Sequence, residues 1–343
     1  MKTHHVIAIG TSAGGVEALK AIVRLLPENF AASIHIVQHV SSTKSSGLAV
    51  VLNQVGKVKA TFARDKEFIE PGRIYIAPPD YHLLLESDRV RVIRGPRENR
   101  MRPAIDPLFR SAAVAYNSYA TGIILTGMLD DGTAGLQAIK ACGGMAIAQD
   151  PEEAKYPSMP QNAIDNVAVD RIVSIKEIPA ILNQRIQEKP AVVTDIPSDL
   201  LLEVPITRDA ITAPETMAEI GTPVAHSCPS CGGPLWQIGT NSLLYYRCHV
   251  GHAFTSSALI EEQSQATEKA LWVALRTLEE RSRLLKNMSN RYAKHGAEAL
   301  AETHLERSRE ALEHSFAIRD LIRNLRTIAE TTYQKKSEQQ LDN

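Results

Sequence analysis

No apolar stretch of this 343-residue chain approaches the roughly 18–20 residues that a bilayer-spanning helix requires, so a helical membrane span is not expected. The opening Met1-Lys2-Thr3-His4-His5 runs straight into an apolar segment of strand length, with no cleavage-site pattern after it, so neither is a secretory signal. Charge of one sign is also lacking. With 38 basic and 39 acidic residues, no global field draws the chain to nucleic acid or to an anionic surface. Cysteine is scarce: four in all, three of them late in the chain, which excludes a disulfide framework. Without a signal segment, that usage points to the cytoplasm, with thiols reduced or bound to metal. Internal repeats are missing too. What remains is an ordinary globular balance, 44% hydrophobic and 22% charged, enough for a normal core in about two domains.

The apolar runs alternate in kind. Residues 6–10 are short and continuously apolar, as strands buried in a parallel sheet are, and 32–37, 121–125 and 144–149 read as further strands of that sheet. Residues 58–62 and 72–79 read as further strands, and 83–85 with 90–93 as a hairpin. Between them lie helical spacings at 16–26, 47–55, 107–116, 136–142, 160–167 and 177–187. This alternation predicts an α/β fold with a doubly wound, mainly parallel sheet over residues 1–188. Prolines at 190, 197, 205, 214 and 223 then suggest a linker over 189–226, with Leu200-Leu201-Leu202 and Ile206 able to dock on a neighbour. A Cys/His module follows at 227–254. A helical hairpin is expected at 255–333, broken at Gly296, and a polar tail at 334–343. The apolar lines of the hairpin are Leu271, Leu275, Leu278, Leu285, Met288, Tyr292 and Ile318, Leu321, Leu325, Ile328.

Open parallel sheets gather functional groups at the carboxyl ends of their strands. Ser12 follows the first strand, His39 the second, and Asp131 the strand at 121–125. Gly10-Thr11-Ser12-Ala13-Gly14 fits the Gly-x-Ser-x-Gly pattern of a strand-to-helix elbow, where small neighbours let a carbonyl approach the serine. An imidazole can take the serine proton, and a carboxylate can orient the imidazole. Taken singly, each residue has a plainer role. Such glycine turns also bind phosphate, a lone histidine often serves packing, and an aspartate before glycine often caps a helix. A phosphate loop is disfavoured, because the Gly-Lys-Ser/Thr pairing and the full dinucleotide fingerprint are lacking. The order Ser…His…Asp also disfavours the α/β-hydrolase fold.

Residues 6–182 closely resemble the catalytic domain of the chemotaxis protein-glutamate methylesterase (CheB) family. The resemblance rests on Ile9–Gly15, Val37–His39, Gly72–Pro78, Asn99–Phe109, Ile124–Gly132, Gln149–Pro151 and Met159–Ile164, in that order. It implies Ser12 as nucleophile, His39 as general base and then acid, and Asp131, directly before Gly132, as the orienting carboxylate. Asp130 would then face solvent. It also implies hydrolysis of glutamyl methyl esters on a methylated chemoreceptor-type protein, with deamidation of glutamine as a second acyl transfer and no catalytic cofactor. Other chemosensory proteins would be further partners. Two departures stand out. Ala13 replaces the family's usual threonine, and the first strand begins at residue 6, so the family's amino-terminal receiver and its control by phosphorylation in cis are not expected. Arg100, Arg102 and Asp106 resemble a stretch near the family's cleft and would either meet an acidic substrate helix or form a structural network. His82 and Cys142 read as packed residues.

The late cysteines form C-x2-C-x16-C-x3-H, from Cys228, Cys231, Cys248 and His252. Two close pairs separated by about 12–20 residues suit tetrahedral zinc. His252 is favoured over His249 because a side chain adjacent to Cys248 points elsewhere on extended backbone. Trp236, Leu244 and Tyr246 would supply the apolar platform of a zinc-ribbon-like hairpin around a structural Zn2+. The helical tail would contact a partner or a second copy, or pack on its own chain. The leading reading is a cytoplasmic methylesterase. The alternative is a non-catalytic signalling adaptor that binds partners through the zinc module and helices.

Overall fold

The structure, a computed structural model, describes residues 4–39, 47–191, 195–209, 213–240 and 243–339, with side chains of the last helix described through Leu325. It divides into two compact units, Met1–Ile260 and Glu261–Asn343.

The first unit contains β1 (Val6–Thr11), β2 (Ser33–Gln38), β3 (Lys59–Phe62), β4 (Arg73–Ile76), β5 (His82–Leu85), β6 (Val90–Ile93), β7 (Ala120–Ile124), β8 (Met145–Gln149) and β9 (Arg171–Val173). Seven of these make one sheet in the order β3-β4-β2-β1-β7-β8-β9, every pair parallel, while β5 and β6 form a separate hairpin. The helices are α1 (Gly15–Leu25), α2 (Leu48–Val55), α3 (Ile105–Tyr116), α4 (Thr133–Ala141), α5 (Ser158–Asn166) and α6 (Ile178–Arg185).

Strand side chains alternate between faces, and β1 shows the consequence. Ile7 and Ile9 pack with Leu19 and Ile22 of α1, Leu52 of α2 and Leu182 of α6. Val6 and Ala8 belong to the opposite layer, with Phe109 of α3, Leu136 of α4 and Met159 of α5. Both faces are covered, which is why the strands read as continuous apolar runs. The expected doubly wound α/β fold is therefore present. From β1 the chain passes to β2 on one side, whereas β7 lies on the other, so the sheet changes direction at β1. Crevices open at such points, beyond the carboxyl ends of the strands.

Residues 189–226, read as a linker from their prolines, instead carry α7 (Ser198–Asp209), α8 (Pro214–Ile220) and β10 (Thr222–Ser227). Pro214 opens α8, where no helical N–H is needed, and Pro205 sits inside α7. Leu200, Ile206 and Glu203 of α7 are buried, which offsets the irregularity. With β10, the strands β11 (Pro234–Thr240), β12 (Leu243–Cys248) and β13 (Ala253–Thr255) form an antiparallel sheet. One face packs Leu235 and Phe254 with Cys228 and Cys248. The other packs Trp236 and Ile238 against Ile206, Met217 and Ile220. The expected platform of Trp236, Leu244 and Tyr246 is thus split, because Trp236 is the register partner of Arg247 and shares its face with Tyr245, while Leu244 and Tyr246 face the other way.

Helix α9 (Ser256–Lys294) starts at the end of the first unit, and most of it forms the second unit with α10 (Glu298–Gln339). Gly296, in the left-handed region at φ 72°, makes the turn. The two helices run antiparallel, as Ser282 meets Ser308 and Ser289 Oγ donates to the Ala301 carbonyl. The buried seam is Leu275, Ser282 and Ser289 against Ala301, Ser308, Ser315 and Ile322, a seven-residue repeat. The expected line on α9 is buried or half-buried, whereas on α10 the expected face is corrected: Leu321 and Leu325 are exposed, and Ile328 lies outside the described side chains. Residues 334–339, read as tail, continue α10. Among the described residues no helix is long and apolar enough to cross a membrane.

Candidate active site

Ser12 and His39 occupy matching places on neighbouring strands. Thr11 and Gln38 are register partners, and each candidate residue is the next one along. The His39 N–H donates to the Thr11 carbonyl at 3.0 Å, continuing the ladder past the strand ends. Because adjacent strands lie about 4.8 Å apart, the two residues sit side by side. Gln38 fastens them, its Nε2 donating to the Ser12 carbonyl at 2.8 Å and to the His39 carbonyl at 3.0 Å. On the other flank, the Ser12 N–H donates to Thr126 O at 3.0 Å. Thr126 Oγ1 donates to the Ala13 carbonyl at 3.0 Å, so the elbow is held from both sides.

The elbow is tight. Gly14 adopts φ 78°, and a Cβ on Gly15 would meet Gln38 Oε1 and Thr11 Oγ1 at 2.3 Å. Helix α1 begins at Gly15 and presents its positive end to the serine.

Asp131 reaches the same place from the loop after β7. Its Oδ2 accepts from His39 Nε2 at 2.7 Å and from the Ile105 N–H at 2.7 Å, and its Oδ1 accepts from Asn99 Nδ2 at 2.9 Å. Burial alone would raise this carboxyl, but the His39 hydrogen bond and charge, with the Ile105 and Asn99 donors, hold it below the usual range. The His39 and Asp131 side chains are 7% and 4% exposed, so the pair is shielded from competing water. With Nε2 committed to Asp131, Nδ1 is the ring nitrogen left for Ser12. Among the described residues Ser12 Oγ makes no hydrogen bond to the ring. Catalytic contacts of this kind commonly tighten only when substrate is bound.

Asn99 and Thr255 were not picked out as site residues from sequence, and Asp106, read there as near the cleft, joins them in a network. Asn99 bridges two carboxylates, donating to Asp106 Oδ2 at 2.8 Å as well as to Asp131. Asp106 is driven well above its ordinary range, first by burial and then by the Asp131 charge. Thr255 Oγ1 donates to Asp130 Oδ1 at 2.8 Å, so Asp130 is partly buried and partnered rather than facing solvent. The one signal for Thr255 was its place before a long helix, where its Oγ1 caps the Ala258 N–H at 3.2 Å. Arg102 pairs with Asp80 at 2.7 Å and not with Asp106. His82 is fully buried, with Nε2 2.8 Å from the Pro96 carbonyl and Nδ1 accepting from the Ala104 N–H.

Cys228, Cys231, Cys248 and His252 also come together, each offering a ligand atom, all within 4.8 Å of one another. Cys231 and Cys248 Sγ are 3.7 Å apart, and Cys248 Sγ is 3.6 Å from His252 Nδ1. A tetrahedron with Zn–S bonds of about 2.3 Å has edges of roughly 3.8 Å, so the spacing fits zinc, and it is far too long for a disulfide. His249 is not in this group. It lies over the knuckle, where a Cβ on Gly233 would come within 3.0 Å of its ring.

Comparison with known proteins covers the first half of the chain. Residues 7–182 match the CheB methylesterase family model. Over 176 residues the chain is 41% identical to a Leptospira interrogans protein, covering 51% of this chain and 91% of that one. It is 39% identical over 179 residues to protein-glutamate methylesterase/protein-glutamine glutaminase 2 of Anaeromyxobacter dehalogenans, covering 52% of each. A Xanthomonas oryzae pv. oryzae protein with the same double name is 41% identical over 177 residues and covered over 50% of its length, so the chain spans about half of these longer relatives. The crystal structure of the Thermotoga maritima CheB methylesterase catalytic domain superposes with a TM-score of 0.52 at 34% identity, over 53% of this chain and 98% of that one. The match ends at residue 182, before the Cys/His centre. The chain belongs to the CheB methylesterase family.

Proposed function

We propose that the chain is a serine-type protein-glutamate methylesterase acting on methylated glutamates of a chemoreceptor-type protein in the cytoplasm, with glutamine deamidation as its second acyl transfer. The observation that carries this reading is the His39–Asp131 pair set beside Ser12 at the point where the sheet changes direction. Ser12 Oγ attacks the ester carbonyl while His39 Nδ1 takes its proton. Collapse of the tetrahedral adduct breaks the bond to methoxide, which leaves as methanol with that proton. Water then attacks the glutamyl-serine ester, again through His39, restoring Ser12 and releasing glutamate. From glutamine the same steps release ammonia. Asp131 stabilises the imidazolium and fixes which ring nitrogen faces the serine. The developing oxyanion meets backbone N–H groups of the elbow that leads into α1, among them that of Ala13, whose side chain brings no hydroxyl.

The chemistry uses no cofactor. Zinc on Cys228, Cys231, Cys248 and His252 would staple a module whose core is too small to fold firmly alone. Nothing favours the adaptor reading. Methanol release from a methylated receptor fragment decides the matter: Ser12→Ala should lower it by at least about 10⁴-fold. Undiminished release from that variant would refute the proposal.

A further inference from the structure

We propose that the Cys/His module is a working part of the esterase, because it supplies the contacts that aim Asn99 at Asp131. The proposal rests on the reading of Asp131 as the orienting carboxylate.

An amide side chain has a donor end and an acceptor end, and only one orientation suits this pocket. Asn99 Nδ2 faces Asp131 Oδ1 at 2.9 Å and Asp106 Oδ2 at 2.8 Å. Its Oδ1 accepts from the Thr255 N–H at 2.9 Å, and its own N–H donates to the Ala253 carbonyl at 2.8 Å. A turned amide would set its oxygen against the Asp131 carboxylate and its NH2 against the Thr255 N–H. The Thr255 donor is therefore what fixes the useful orientation, and both it and the Ala253 carbonyl belong to β13. The loop needs such support, since Asn99 and Arg100 both adopt left-handed backbone, at φ 48° and 68°.

Strand β13 is three residues long, and the centre governs where it lies. It begins directly after His252 and pairs with β12, which ends at Cys248. Between them the Cys248 N–H donates to the His252 carbonyl at 3.0 Å, and the Gly251 N–H to the Cys248 carbonyl at 2.9 Å. Two metal ligands thus close the turn that sets the register of β13. A metal on the four ligands holds that turn, the turn holds Thr255, and Thr255 holds Asn99. Asn99 and Thr255 are positioning residues that act through Asp131. With the centre empty, the Asp131 carboxylate loses a fixed donor although Ser12, His39 and Asp131 are untouched.

The test uses the full chain, loaded with one zinc or stripped by a thiol-reactive mercurial and chelator, with released zinc titrated. The readout is methanol release from a methylated receptor fragment, resolved into kcat and KM across pH. Stripping should lower kcat roughly tenfold, the effect of one charge-assisted hydrogen bond, and shift the acidic limb of the kcat profile upward, with KM little changed. Asn99→Ala should lower kcat by a similar factor, and stripping zinc from that variant should add nothing further. Three results would overturn the coupling: failure to bind zinc, full kcat in the stripped chain, or an equal zinc effect in the Asn99→Ala background, which general unfolding would give. The underlying reading fails separately, if Asp131→Asn retains full kcat.

Discussion

Asp131 accepts hydrogen bonds in a buried pocket from three parts of the chain: His39 after β2, the Ile105 and Asp106 N–H groups at the start of α3, and Asn99 in a loop. Its role is to be an acceptor, and Asp131→Asn turns one oxygen into a donor. The imidazole would then adopt the wrong tautomer, and kcat for methanol release should fall about 10³–10⁴-fold with the fold retained. A loss of less than tenfold would remove Asp131 from the mechanism. Ser12 and His39 were legible as candidates because each directly follows a run of strand character, while Asp131 was singled out over Asp130 only through the family resemblance. Asn99 was not, since nothing in its local pattern signals a contact with residues 253–255. The Asp106–Asp131 pair was hidden for the same reason, as one partner opens a helix and the other ends a loop.

The elements make the site narrow, and glycine marks where they nearly touch. A Cβ on Gly127 would lie 2.6 Å from Met159 Cε and 2.9 Å from Ser12 Cβ. Gly127→Ala should therefore displace the serine as well as strain the packing of α5. A cost of about 1–3 kcal/mol in urea unfolding is expected, with a fall in kcat larger than any change in KM. Unchanged unfolding and unchanged kcat would contradict the closeness of that approach. The order of strands and helices through residue 182 followed from alternating apolar runs, except for β9, an edge strand of three residues with little burial and no apolar run to announce it. The hairpin was harder to read. Its seam uses Ser282, Ser289, Ser308 and Ser315, small residues that let two helices approach closely, and a search for large apolar positions passes over them. The segment at 198–220 was misjudged because proline was weighed more heavily than the burial of Leu200, Ile206 and Met217.

At the scale of the first unit, buried charge joins the part that matches the family to the part that does not. Glu98 and Arg110 pair in the esterase portion, and Arg247 of β12 meets Glu98 at 3.0 Å and Glu203 of α7 at 2.8 Å. Burial opposes ionisation of Glu98, but Arg110 and Arg247 prevail and bring its carboxyl to about 2 from an ordinary 4.5. A depressed carboxyl contributes stability above its unfolded value and loses it as pH falls. The network should thus lose on the order of 3 kcal/mol between pH 4.5 and 2, seen as an acid-side drop in urea midpoint that Glu98→Gln flattens. Asp106, raised by burial, acts with the opposite sign, its contribution being lost as pH rises through its elevated value. Arg247→Met removes one of the two cations that Glu98 and Glu203 share, Arg110 being the other, and should cost about 3–5 kcal/mol.

The most direct measurement is to map a serine-directed fluorophosphonate on the native chain by peptide mass. A single adduct on Ser12 is expected, slowed by a methylated receptor fragment and lost in His39→Gln. An adduct on another serine that tracks the loss of methanol release, with Ser12 unmodified, would contradict the account.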